Sequence, residues 1–309
     1  MAGPEDNCPD GDDEPIDDDN DQNETSDADA SLANQDDEHP ESDTQDMADI
    51  TVADIKALRD ATGAGMMDAK KALTEADGDA DEARKILREK GLAKAASRAD
   101  RDNAEGAVAV AEGDGVAAIV HLKSETDFAA KSEDFIAVLD AIAASVLADG
   151  EDAAAQHQPA IEELQITKKE NIELGLVKRV VAGEGNLLDT YLHKQEGRGT
   201  NGVIVEGNAV DSETLHMVAL HIAFAKPQGL SREDIDQAVA DTEREALLEL
   251  TKAEGKPEQA WDKIVEGRLS AWYGEQVLLE QGLNGDKTSV QDSLGGGTIV
   301  SFSQAYLGG

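Results

Sequence analysis

At 309 residues the chain is long enough for two or three domains, and a hydrophobic content of 39% can fill real cores, although aromatic residues supply only 3%. Cores must therefore be built from Ala, Val, Ile and Leu, and each aromatic becomes informative. A net charge of -40 repels phosphate backbones and anionic lipid surfaces alike, which excludes direct nonspecific binding to nucleic acid or membrane.

A single cysteine, Cys8, excludes an intramolecular disulfide and any multi-cysteine metal site, and fits a cytoplasmic protein. No apolar segment follows a basic start at the N-terminus, so no signal peptide is expected. The longest apolar run, residues 141–148, falls far short of the ~20 residues of a membrane span. Residues 1–46 hold 19 Asp or Glu and no Lys or Arg. Such a segment buries too little apolar surface to offset its ordering entropy, and a disordered acidic tail is expected.

Helical periodicity begins at Thr51, where Asp54 three residues on predicts a capping box and Gly63 predicts the stop. A second helix is expected over 66–76, closed by Asp77-Gly78. A third is opened by Asp79 and Glu82, carries Ala83, Ile86 and Leu87 on its buried side, and is expected to end at Gly91. The polar stretch 94–101 reads as a linker or a helical extension. Two strand-like runs, 107–111 and 116–122, flank Glu112-Gly113-Asp114-Gly115 and predict a β-hairpin. Beyond Thr126 the spacing of Phe135, Val138, Leu139, Ile142 and Val146 is helical. Residues 149–160 read as a polar loop, followed by a helical stretch with Ile161, Leu164 and Ile166. Val177, Val180 and Val181 fit a strand or a short helix. A second hairpin is expected over 188–193 and 203–205, then an apolar helix over 215–225. Hairpin plus helix thus occurs twice. Ser231 with Asp234 predicts the start of a helix reaching Glu254; Gly255-Lys256-Pro257 breaks it, and a partner helix is expected over 258–281, giving an antiparallel helical hairpin that projects from the body. Residues 298–302 read as a last strand.

The search for enzyme motifs comes back empty. Gly197-Arg198-Gly199-Thr200-Asn201-Gly202 fits GxGxxG, but a dinucleotide fingerprint must open a helix, and this loop leads into the strand-like Val203-Ile204-Val205. A hairpin turn is the expectation. His216 and His221 are one position off the zinc-helix spacing and lack a third ligand, so a packing or interface role is expected and no metal site is assigned. There is no phosphate-binding loop and no nucleophile elbow. Two features remain. In Leu58-Arg59-Asp60-Ala61-Thr62-Gly63-Ala64-Gly65-Met66-Met67, two consecutive methionines cannot both face one core, so one of them should be exposed as an adaptable binding residue. In Glu125-Thr126-Asp127-Phe128, one of four phenylalanines sits where a strand hands over to a helix; it either closes the core behind a helix cap or serves a contact.

The run LRDATGAGMMDAKKAL resembles the N-terminal signature of the elongation factor Ts family, and SETDFAAKSEDF resembles that family's Thr-Asp-Phe core motif. YLH at 191–193, HMVALHIAFAKP at 216–227 and GKPEQAWDKIVEGRL at 255–269 continue the likeness in the family's order, so that it spans residues 48–302. The resemblance implies an α+β fold, divided as follows: a tail to residue 46; a three-helix docking domain and linker over 47–101, similar to ubiquitin-associated (UBA-like) domains; two related core subdomains, each with a small antiparallel sheet, over 102–186 and 187–230; an inserted helical hairpin over 231–281; and the final strand and C-terminus over 282–309. It implies a guanine-nucleotide exchange factor for elongation factor Tu, with no catalysis and no cofactor, no direct nucleic-acid contact and no membrane. Arg59, Thr62, Gly63, Met66 and Met67 would dock the GTPase domain. Thr126, Asp127, Phe128 and Ala129 would dislocate its Mg²⁺, Ala129 standing where the family usually has Val. His193, His216 and His221 would touch a distal domain of the partner. The alternative is a plain binding adaptor built on the three-helix domain.

Overall fold

The computed structural model describes residues 50–308; the acidic segment 1–46 lies outside the described residues. The first helices are α1 (Val52–Thr62), α2 (Met66–Glu75) and α3 (Ala80–Ala96). Thr51 caps α1 reciprocally: its hydroxyl accepts from the Asp54 amide at 3.2 Å, and its own amide donates to the Asp54 carboxylate at 3.0 Å. Gly63 closes α1 in the left-handed region, with φ of 66°. Ile55, Leu58, Ala69, Ala72, Leu73, Ala83 and Leu87 form a small core between the three helices.

Next come β1 (Glu105–Gly113), β2 (Val116–Ser124), the single turn α4 (Asp127–Ala130), α5 (Glu133–Asp149), α6 (Gln158–Lys168) and β3 (Glu173–Val181). The strands form an antiparallel sheet in the order β1-β2-β3. Residues 173–181 are therefore strand, because the free edge of β2 takes them up in register, Val116 opposite Val181. The expected loop at 149–160 is instead a 3₁₀ segment, Glu151–His157, running into α6. Its small Ala153 and Ala154 are buried, so hydrophilic composition concealed a packed turn.

Gly91 does not end α3. The helix continues for five residues, and a Cβ at Gly91 would stand 2.9 Å from Cγ1 of Ile166 on α6. The glycine is there for close helix approach, not as a stop. The stretch after Ala96 is likewise fastened rather than free: the Asn171 side-chain amide donates to the Ala99 and Arg101 carbonyls at 3.1 and 2.9 Å.

The second sheet comprises β4 (Asn186–Gln195), β5 (Arg198–Asn208) and, after a long excursion, β6 (Thr298–Tyr306), antiparallel in that order. Between β5 and β6 lie α7 (Ser212–Ala225), α8 (Gln237–Ala253), α9 (Trp261–Gln276) and the short α10 (Val290–Ser293). The two-residue turn Glu196-Gly197, with φ of 53° and 85°, takes in only the first residue of the GxGxxG segment expected as a turn; Arg198–Gly202 already pair with β4 as strand. Alternation sorts side chains into layers. Ala107, Ala109, Ala118, Val120 and Leu122 face α5, whereas Val203 and Val205 face α7. Val108, Ala117 and Ile119 meet Ile204 and Ala305 between the sheets. The result is a helix–sheet–sheet–helix stack, α+β in class.

The Ser231–Asp234 capping box exists, but it closes only a 3₁₀ turn; α8 starts at Gln237, capped by Asp236. Helices α8 and α9 pair through Arg268 with Glu254 at 2.8 Å and through Arg244 with Glu266, and bury only Ala240, Thr251, Val265 and Leu269. Among the described residues no helix is long and apolar enough to cross a membrane.

His121 lies on the inter-sheet face of β2, buried, with Nε2 unpartnered. Burial, reinforced by nearby Lys123, pushes its pKa from 6.5 to about 4. Between those values the unfolded chain binds a proton that the folded chain does not, so stability is lost as pH falls from 6.5 towards 4. Buried His221, also lowered by burial, acts in the same direction. The loss attributable to His121 is on the order of 3 kcal/mol. Denaturant melts at pH 7 and pH 4.5 should show a smaller pH difference for His121→Leu than for the parent chain; an unchanged difference would exclude His121 as the source.

Candidate partner-binding site

The site is built at one end of the two-sheet stack. Where β2 ends, Ser124 is buried and donates to the Thr126 carbonyl at 2.9 Å. Glu170, just past α6, accepts from the amides of Glu125 and Thr126 at 3.1 and 3.0 Å and from the Thr126 hydroxyl at 2.6 Å. The Thr126 hydroxyl in turn caps α4 by accepting from the Ala129 amide at 3.3 Å. Ala129 and Ala130 are buried beneath the turn. This network fixes the backbone on both sides of Phe128 and leaves the ring 83% exposed. Phe128 is thus not a core residue. An aromatic ring held so exposed on a hydrogen-bonded turn leaves a large apolar surface open to solvent.

Asp127 stands beside it. The Lys131 ammonium bonds its carboxylate at 2.6 Å and holds the acid below the ordinary range, with Arg198 adding to the effect. Lys131 also pairs with Glu196 in the β4–β5 turn, and its own pKa is raised by Asp127 and Glu196. Arg198 is buried between the sheets, donating to the Gly106 carbonyl and, at 2.8 Å, to Glu105. The turn that links β4 to β5 is therefore tied to α4 and to β1.

On the three-helix unit, Met66 and Met67 are 41% and 65% exposed at the start of α2. Thr62 is turned back onto the Leu58 carbonyl at 2.7 Å, and Arg59 pairs with Asp60 at 2.6 Å beside it. These residues flank or form the junction between α1 and α2: Arg59 and Thr62 end α1, Gly63 closes it, and Met66 and Met67 open α2. His193 is exposed near the end of β4, 3.1 Å from the Tyr191 hydroxyl. His216 is exposed on α7 and meets Asp189 of β4 at 2.9 Å. His221 is different: it is 3% exposed, Nδ1 accepts from the Asn284 amide at 3.1 Å, and Nε2 lies 2.9 Å from the Gln281 side-chain oxygen. It anchors the segment after α9 and cannot reach a partner.

Sequence reasoning missed Phe224, 87% exposed near the end of α7. Its neighbour Ala223 accepts from Asn201 at 2.7 Å, which fastens the end of α7 to the first residues of β5. Its signal was a break in α7's buried pattern, a large ring among Ile222, Ala223 and Pro227. Glu170 was missed because a carboxylate in a polar stretch looks like any other until the chain folds it onto Thr126.

The described residues thus define a two-sheet α+β protein that presents exposed apolar side chains on hydrogen-bonded mounts. The family model described as "Elongation factor TS" matches residues 125–308. Elongation factor Ts of Clavibacter sepedonicus is 41% identical over 274 residues, covering 85% of this chain and 100% of that protein. The Cutibacterium acnes protein of the same name is 44% identical over 275 residues, 84% of this chain and 99% of its own length. The chain belongs to the elongation factor Ts family, whose members serve protein biosynthesis at translation elongation.

Proposed function

We propose that the chain is the guanine-nucleotide exchange factor for elongation factor Tu: it binds the GDP-bound GTPase, displaces its Mg²⁺, and promotes GDP release so that GTP can bind. Exposed Phe128 on its pinned turn is the observation that carries this reading. A rigid ring driven against the partner's Mg²⁺ region weakens nucleotide binding without any bond being made or broken, and by linkage the nucleotide weakens the factor equally. Negatively charged Asp127, held by Lys131, sits where it can compete with phosphate for the partner's cations. The UBA-like three-helix unit, residues 47–101, docks the GTPase domain through Arg59, Thr62, Gly63, Met66 and Met67. The two sheet-bearing subdomains carry Thr126–Ala129 and, on the distal contact, His193 and His216; buried His221 is left out, and exposed Phe224 is added.

The test is release of a fluorescent GDP analogue from elongation factor Tu, with and without this chain. Coupling of roughly 5–150-fold is expected in the release equilibrium. Binding with unchanged GDP release would instead identify a plain adaptor.

A further inference from the structure

A cavity of about 530 Å³ lies between the α1–α2 loop, α3 and α6. Seven cations and two carboxylates, Asp68 and Glu163, line it, an inversion of sign in a chain of net charge -40. Four of the cations are already engaged: Arg84 with Asp81, Arg88 with Glu162 at 2.9 Å, Lys90 with Glu75, and Lys94 with Asp68 at 3.5 Å. Lys71, Arg98 and Lys169 have no carboxylate partner among the described residues. They come from α2, the segment after α3, and the residue closing α6, so three separate elements bring unneutralised charge to one concave space.

We infer that this cavity binds a small polyphosphate anion, the di- or triphosphate group of a nucleotide or the free inorganic ion. Several convergent cations need several negative charges a few ångströms apart, which a single carboxylate cannot supply; guanidinium and ammonium groups are the side chains that hold phosphate oxygens. The volume is that of an ordinary small-molecule site. An extended polyanion would face the acidic remainder of the surface, whereas a compact anion senses mainly charges within a Debye length of about 8 Å. Such an anion would bridge α2 and α3 to α6. Lys169 precedes Glu170, which pins the turn bearing Phe128, so occupancy would stiffen the link between the docking loop and that turn.

Isothermal titration of the full chain with inorganic triphosphate, GTP and GDP at fixed ionic strength tests this, sulfate serving as control. Saturable one-site binding of triphosphate and of both nucleotides is expected, with no such binding of sulfate. Lys71→Gln/Lys169→Gln should weaken triphosphate binding about tenfold or more with an unchanged melting temperature, because hydrogen bonds between charged groups are each worth about that factor. Binding of triphosphate alone would assign the free ion as ligand; binding of nucleotides alone would mean that the base is read and would overturn the phosphate assignment. Equal affinity in parent and double variant, displacement of triphosphate by an equimolar Glu-rich peptide, or no binding at all would also overturn it. None of these outcomes depends on exchange activity.

Discussion

Phe128→Ala should slow the GDP release that this chain stimulates in its partner roughly 30-fold, while leaving the fold as stable as before. The ring is 83% exposed, so its truncation removes almost no buried surface, and a surface change of this kind stays within about 0.5 kcal/mol. For a chain of this size that is a melting shift of about 2 °C at most. Covered by a partner, the same ring is the kind of aromatic anchor whose loss costs about 2 kcal/mol or more of interaction. Phe128→Leu should retain part of the activity, since it keeps apolar bulk on the same turn. The measurement pairs thermal melting with fluorescent GDP release at matched concentrations. A variant that melts far lower yet exchanges normally per folded molecule would show that the ring serves the fold and that the wedge reading is wrong.

Local chemistry carried much of this far. The Thr51–Asp54 box, the Gly63 stop and the first hairpin turn were readable, because each depends on residues close in the chain, whereas of the Gly197–Gly202 segment expected as the second turn only Gly197 lies in it. The failures fall where a distant segment decides. Gly91 reads as a helix end until Ile166 arrives against it. Ser231 and Asp234 form their box as expected, but the chain leaves it in extended geometry at Ile235 and starts α8 afresh from Asp236. Residues 173–181 carry no decisive period of their own, and it is the open edge of β2 that makes them a strand. At the site, the motif drew attention to Phe128, but the sequence left a core cap and a contact both open. The decision came from Ala129 and Ala130, which fill the space below the turn, and from Glu170, which holds the turn from 44 residues away. His216 and His221 show the same limit: neighbours on one helix, one faces solvent and the other is locked to Gln281 and Asn284.

Gly199→Ala should be strongly destabilising. The new Cβ would fall on the Val108 carbonyl oxygen, well inside van der Waals contact, and 2.7 Å from Cδ1 of Leu192. Leucine can change rotamer; the strand backbone of β1 cannot move without opening the layer where Val108 and Ile119 meet Ile204. Overpacking commonly costs 1–3 kcal/mol, and a backbone obstacle belongs at or above the upper end, so a loss of about 3 kcal/mol or more is expected in denaturant unfolding. Gly197→Ala is the control from the same GxGxxG segment. Its φ of 85° makes any side chain strained, but no atom lies within 4 Å of the added carbon, so only a backbone cost of roughly 1–2 kcal/mol applies. Were this segment a phosphate cradle, the two alanines would act on ligand binding and leave stability alone. In a hairpin pressed against a second sheet, the order is reversed: position 199 governs folding and position 197 merely the turn. The effect should also reach function, because Arg198 ties β5 to Glu105 and Gly106, and Glu196 holds Lys131 beneath Asp127. Forcing the sheets apart at Gly199 should therefore lower exchange per folded molecule of Gly199→Ala below that of Gly197→Ala. Equal stability of the two variants would show that the sheets do not approach as closely as this packing requires.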